Sequence, residues 1–164
     1  MRVIIQRVSQ ANVKINEQVS GEIDQGLLLF VGVVDDDTDE DIEWWCNKLS
    51  GLRIFSDKEG KMNHSIQDVD GKFLVVSQFT LHAKTKKGNR PSFTRAAKPD
   101  TAIPIFEKFK KSLQAISGRP VESGEFGADM QVSLTNDGPV TIIIDTKRFK
   151  NIVFKAWDQI DLND

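Results

Sequence analysis

TNDGPVTIIID, residues 135–145, is the stretch on which the reading of this chain turns. The turn formers Asn136, Asp137 and Gly138 run straight into Pro139 and then into a β-branched strand. Proline has no N–H, so a strand opening at Pro139 lacks a ladder bond there. Gly138 tolerates unusual backbone angles and lets a ligand approach the main chain closely. The bond between the two can be cis at a cost of about 0.5–1 kcal/mol, and the sequence does not give its isomer. Two readings follow. One is a plain hairpin turn between strands at 130–134 and 140–144. The other is a rigid backbone element that presents carbonyl oxygens to a ligand.

Outward from this point the chain alternates short strands with two strongly amphipathic stretches. In MRVIIQRVSQ, Val3, Ile5 and Arg7 fall on one side of a first strand and Ile4, Gln6 and Val8 on the other. Segments 11–15 and 19–23, joined by a polar turn, read as a hairpin. Gly26 opens LLLFVGVV, an apolar run typical of a strand buried on both faces. Ile42, Trp45, Cys46 and Leu49 recur at helical spacing, with Gly51 as the stop. The acidic run Asp35-Asp36-Asp37 reads as a loop and a negatively charged first turn rather than a metal site. A short strand over 52–55, a turn at 57–60 and an irregular connection carrying His64 come next. Residues 73–81 read as a second buried strand.

A second helix follows, with Ile105, Phe106, Phe109, Leu113 and Ile116 on its apolar face, Pro104 in its first turn and Gly118 at its end. Val121 starts a short strand, and a glycine-punctuated loop over 124–127 leads back to the opening stretch. Beyond Asp145, Phe149, Ile152, Val153, Ala156, Trp157 and Ile160 lie at helical spacing. This order predicts one α+β domain over 1–145, a curled, barrel-like, mostly antiparallel β-sheet with helices packed on one side, and an appended helix in 146–164.

Bulk properties narrow the function. At 164 residues the chain buries a core without staples, and its single cysteine excludes an intramolecular disulfide, which fits a reducing, cytoplasmic setting. No apolar run approaches the roughly 20 residues of a membrane span. The net charge of −2 does not itself suggest nucleic acid. Yet between His82 and Lys98 stand Lys84, Lys86, Lys87, Arg90 and Arg95 with no acid among them. Such a loop suits phosphate contact as well as it suits a solvated surface.

Catalytic side chains are harder to find. In VSQFTLH, residues 76–82, a regular strand puts Ser77, Phe79 and Leu81 on one face and Gln78, Thr80 and His82 on the other. Ser77 and His82 then cannot pair unless the strand breaks. Thr80 and His82 share a face but have no nearby acid in sequence to orient the histidine. His82 reads as a residue on the surface at the strand's end. His64 and His82 have no partners at metal-ligand spacing, so neither a metal nor a cofactor is expected. Any catalysis should rest on backbone donors, the substrate's own groups, or both.

MRVIIQRV, GLLLFVGV, LRIF, GKMN at 60–63, VSQFTL, KKGNRPSF at 86–93, FGADMQVSLTNDGPVT and the final IIID together resemble the D-aminoacyl-tRNA deacylases. The likeness runs to Asp145 and says nothing of 146–164. It implies a homodimeric esterase that frees tRNA from D-amino acids, with tRNA as its partner and neither DNA nor membrane. By that resemblance Ser77, Gln78, Phe79 and Thr80 line the pocket for the 3′-terminal adenosine and its ester. Gly138 and Pro139 form an element that enters the other subunit's pocket, Arg7 holds that element, and Met130 flanks the pocket. Lys84, Lys86, Lys87 and Arg90 would meet tRNA phosphates. Thr80 as nucleophile, an inactive RNA-binding dimer and a relative tuned to L-alanyl-tRNA remain alternatives.

Overall fold

The computed structural model describes residues 1–146. The helix expected beyond Thr146 lies outside them. Strand β1 (Arg2–Ile15) is a single long strand that takes in both the first strand and the first hairpin arm of the sequence reading. It turns through Asn16 and Glu17, both at positive φ, into β2 (Gln18–Ile23), its antiparallel partner. Strand β3 (Gly26–Gly32) then runs antiparallel to residues 2–8 of β1, and all but Phe30 of its residues are buried. The helix α1 (Asp39–Gly51) starts in a reciprocal cap: Asp41 N–H donates to Thr38 Oγ1 at 3.3 Å and Thr38 N–H to Asp41 Oδ2 at 3.0 Å. That cap satisfies two of the amides a helix start leaves over. Asp37, just before it, is buried against the Met1 ammonium and accepts the Val34 N–H at 2.8 Å. The acidic run is therefore part loop anchor and part helix start.

A small ribbon of β4 (Phe55–Ser56) and β5 (Met62–His64) replaces the strand expected at 52–55. Strand β6 (Lys72–Ser77) pairs parallel with β3, and β7 (Val121–Ser123) pairs parallel with β6. Between them α2 (Pro99–Ser117) begins five residues before Pro104, with Pro99 in the first turn where its missing N–H costs nothing. It ends as the sequence predicts, on Gly118 at φ +65, whose N–H bonds back to the Gln114 carbonyl at 3.0 Å. Ala102, Phe106, Phe109 and Leu113 face the core, whereas Ile116 stays partly exposed.

The largest correction concerns β8 (Gln131–Asp145). The Gly138-Pro139 turn does not fold the chain back on itself. Residues on both sides of it pair antiparallel with β1, Gln131 through Asn136 with Lys14 through Val8 and Thr141 through Asp145 with Gln6 through Arg2. Five steps of β8, from Asn136 to Thr141, thus match two steps of β1, and the surplus is thrown out as a wide bulge.

The six-stranded sheet runs β2-β1-β3-β6-β7, with β8 on β1, so it is mixed rather than wholly antiparallel. It curls until its ends meet, where Ser20 Oγ donates to the Ser123 carbonyl at 3.2 Å. Both helices cover one face over a core of Val3, Ile5, Leu29, Phe73, Trp45, Phe106 and their neighbours. The other face closes round a smaller core of Val8, Val13, Ile23, Leu28, Leu74 and Val76. Among the described residues no helix is long and apolar enough to cross a membrane.

Candidate functional site

The strand expected over 73–81 stops at Ser77. Gln78 keeps one ladder bond, its N–H to the Val31 carbonyl at 2.8 Å, and then leaves extended geometry at φ −143, ψ 78. Phe79–His82 form a 3-10 turn, with Leu81 N–H to the Gln78 carbonyl at 3.2 Å and Ala83 N–H to the Thr80 carbonyl at 3.1 Å. The first N–H groups of such a turn, here Phe79 and Thr80, have no acceptor within it.

Two expectations change with this break. Thr80 and His82 no longer share a strand face; the Thr80 hydroxyl instead accepts a hydrogen bond from the Gln78 amide. His82 is not on the surface. It is 5% exposed and lies against Gly32, where an added Cβ would come within 3.0 Å of its ring. Burial pulls its pKa below the ordinary 6.5, and the nearby Gly32 backbone works the other way. An apolar-looking segment with β periodicity conceals such a break, because the exposed Phe79 mimics a buried strand residue.

A cavity of about 260 Å³ opens beside the start of this turn. Its lining joins Ser77, Gln78 and Phe79 with Met130 and Val132, the buried Val31, Val76, Ala97 and Ala102, and Phe126 through Asp129. Four expected residues meet here, Ser77, Gln78, Phe79 and Met130. Thr80, the next residue along, is not among the lining residues. Asp129, which the sequence reading did not single out, is the one ionisable group among the described lining residues. Its place in FGADMQV, one residue before Met130, was the available signal.

Gly138, Pro139 and Arg7 are not part of this cavity. Gly138 and Pro139 are exposed at the tip of the β8 bulge, and the bond joining them is cis. The neck of the bulge is tied from within. The Asn136 amide donates to the Arg7 and Val140 carbonyls, both at 3.0 Å. Arg7, 7% exposed, donates from Nε to the Asp137 carbonyl at 3.1 Å and from Nη1 to the Ile54 carbonyl at 2.7 Å. At Gly138, φ +130 disfavours any side chain, and a Cβ would lie 3.0 Å from Arg7 Nη2.

Past the 3-10 turn the basic loop closes on itself. Lys84 and Ser92 exchange two backbone bonds of 2.8 and 3.0 Å, and Lys84 Nζ reaches Thr94 Oγ1 at 3.1 Å. This ties Lys84 into the stem and leaves Lys86, Lys87 and Arg90 exposed beyond it. The returning arm sets Phe93 edge-on to Phe79, with ring centroids 5.1 Å apart. Phe79 is 54% exposed, so an aromatic surface and a cationic loop adjoin one another at the cavity.

Residues 4–145 match the family model for D-Tyr-tRNA(Tyr) deacylase. A protein of Flavobacterium johnsoniae named D-aminoacyl-tRNA deacylase is 59% identical over 147 residues, 90% of this chain and 98% of that protein. One of the same name from Akkermansia muciniphila is 58% identical over 148 residues, 90% of this chain and 99% of its own. Among solved structures, one described as c-Myc DNA Unwinding Element Binding Protein superposes with a TM-score of 0.83 at 34% identity, covering 89% of this chain and 99% of that one. Another, described as a probable eukaryotic D-amino acid tRNA deacylase, has a TM-score of 0.76 at 20% identity, covers 88% of this chain and 98% of that one, and speaks to the fold alone.

Proposed function

Because this chain belongs to the D-Tyr-tRNA(Tyr) deacylase family, we propose that it hydrolyses the ester bond of D-aminoacyl-tRNA, releasing the D-amino acid and free tRNA. The position of the 3-10 turn carries this reading: Gln78 and Phe79 at its amino end line a cavity whose lining also includes the exposed carboxylate of Asp129. An aminoacyl ester on the terminal ribose is already activated, and the adjacent ribose hydroxyl can assist water or attack directly. The protein then has to hold the ester and stabilise the oxyanion. The Phe79 and Thr80 N–H groups suit that task, each such donor being worth about 3–4 kcal/mol. No cofactor is needed, and Thr80 acts through its amide rather than as a nucleophile.

Selection between the hands of the substrate belongs to the Gly138-Pro139 bulge. Its carbonyls take the substrate ammonium, and its main chain fills the space an L side chain would enter, leaving a D side chain to project outward. Main chain cannot recognise side-chain identity, so D-residues of many kinds react. Glycine has nothing to clash and is also released. Within one chain the bulge lies outside the cavity, which supports a homodimer in which each bulge serves the other subunit's pocket. Lys86, Lys87 and Arg90 hold acceptor-stem phosphates, with sequence-independent contacts. The cytoplasm, where translation supplies charged tRNA, is the expected setting.

The test is deacylation of one D-aminoacyl-tRNA beside its L counterpart. The D ester should be cleaved and the L ester spared. Equal cleavage of both, or full activity from a stable monomer, would overturn the reading, and no cleavage of either would leave an RNA-binding dimer of the same fold.

A further inference from the structure

The turn that bears the pocket's backbone donors is fixed from below by a single row of residues across three strands. Arg2 on β1 pairs with Gly32 on β3 and with Asp145 at the end of β8. Arg2 Nε and Nη2 both donate to Asp145 Oδ2, at 2.9 and 2.7 Å. Its remaining arm, Nη1, donates to the carbonyl of Leu81, inside the 3-10 turn. At the other end of the row Gly32 has no side chain, and both the Gln78 carbonyl and the His82 ring occupy that space, about 3.0–3.1 Å from where a Cβ would stand. The turn is thus held at its start through Gln78 and at its end through Leu81 and His82.

We propose that Arg2 is a positioning residue for the pocket, fixing the 3-10 turn through the Leu81 carbonyl while Asp145 sets the angle of its guanidinium. This rests on the assignment of the Phe79 and Thr80 amides to the oxyanion. A planar fork already fixed by a carboxylate loses little freedom in making its further bond, which a flexible lysine cannot match. Arg2 also joins the turn to β8, the strand that carries the Gly138-Pro139 bulge at its middle. Pocket and bulge therefore share one frame, although neither Arg2 nor Asp145 lines the cavity.

The experiment combines hydrogen exchange at residues 79–83 with deacylation kinetics on Arg2→Met, Arg2→Lys and Asp145→Asn. In Arg2→Met, exchange in the turn should rise about tenfold or more while the β1–β3 ladder stays protected. Because a small displacement of positioned groups is costly, kcat should fall on the order of 10²-fold with KM little changed. Arg2→Lys should recover part of the loss, Asp145→Asn should fall between, and the double variant should be no worse than Arg2→Met. Unchanged exchange in the turn, a loss confined to KM, or a lysine variant no better than methionine would each overturn the proposal. If Arg2→Met does not fold, Asp145→Asn decides the question with Arg2 in place but unbraced. Exchange reports on the turn whatever substrate proves correct, so a failed deacylase assignment and a failed role for Arg2 are told apart.

Discussion

Arg7 and Asp137 face each other across the β8 bulge, the arginine Nε donating to the aspartate's main-chain carbonyl at 3.1 Å and lying 3.5 Å from its carboxylate. The same guanidinium bonds the Ile54 carbonyl, so one buried side chain joins β1, the approach to β4 and the bulge. Replacing it with methionine keeps the aliphatic stem but leaves the Ile54 carbonyl without this donor. We expect Arg7→Met to cost roughly 1–3 kcal/mol in urea unfolding. We also expect the ratio of D to L hydrolysis to shrink, because a loosened bulge no longer blocks the L side chain. A variant that keeps both stability and discrimination would refute the role given to Arg7.

Thr80→Ala and Asp129→Asn test whether a side chain performs the chemistry. Under the backbone and ribose mechanism each should retain activity within about tenfold, read as kcat/KM. A loss of about 10⁴-fold in the first would make Thr80 the nucleophile. A loss of about 10³-fold in the second, with KM unchanged, would make Asp129 a general base.

A purely steric gate predicts that glycyl-tRNA is a substrate. Its hydrolysis should be measurable beside that of a D-aminoacyl-tRNA, while the L-aminoacyl ester stays uncleaved. Finding glycine excluded while several D-residues react would require a recognition element other than the main chain.

Removing charge at Lys86, Lys87 and Arg90 together should raise KM and leave the D to L ratio unchanged. Each lost phosphate contact should lower the slope of log affinity against log salt by about 0.7–0.9. An altered chiral ratio, or a slope identical to the parent's, would count against a phosphate-binding loop.

We expect His82 to make stability depend on pH. Burial lowers its pKa below 6.5, the Gly32 backbone and Asp145 oppose that, and the Arg2 and Met1 charges reinforce it. The unfolded chain, with its ordinary pKa, therefore takes up the proton first as pH falls. The histidine's contribution is complete above pH 6.5 and is lost as pH falls from there through the folded pKa. His82→Gln should flatten this dependence between pH 7.5 and about 5, while carboxylate effects remain common to both proteins. Parallel curves for parent and variant would show that His82 is not the titrating group.

Much of the framework was legible because it follows period and cap. The alternation of Val3, Ile5 and Arg7, the uniform apolarity of β3, the stripe of α1 and the glycine end of α2 all appear where the sequence puts them. The misreadings share a cause. Asn-Asp-Gly-Pro carries the same turn chemistry whether the chain reverses or merely bulges, and only the register against β1 distinguishes them. Parallel pairing of β3 with β6 has only their continuous apolar runs as a mark, and that of β6 with the short polar β7 has none. The 3-10 break after Ser77 depends on Gly32 making room for His82 and the Gln78 carbonyl, a tertiary fact invisible in VSQFTLH. Gly138 and Pro139 stand out by their turn chemistry, whereas Arg7 and the cross-subunit role come from the resemblance, and the geometry that joins the three could not have been reached from spacing.

Val31 and Val76 line the cavity and are also about as deeply enclosed as any described residue, each 1% exposed. The shape of the cavity and the cohesion of the fold therefore depend on the same side chains. Trimming either to admit a bulkier ligand would open a void costing on the order of 1 kcal/mol or more, before any change in turnover appeared. The lining from Phe126 to Met130, with Val132, is only partly covered and is less costly to change. A wider pocket is therefore made at less cost in stability there than at the two valines.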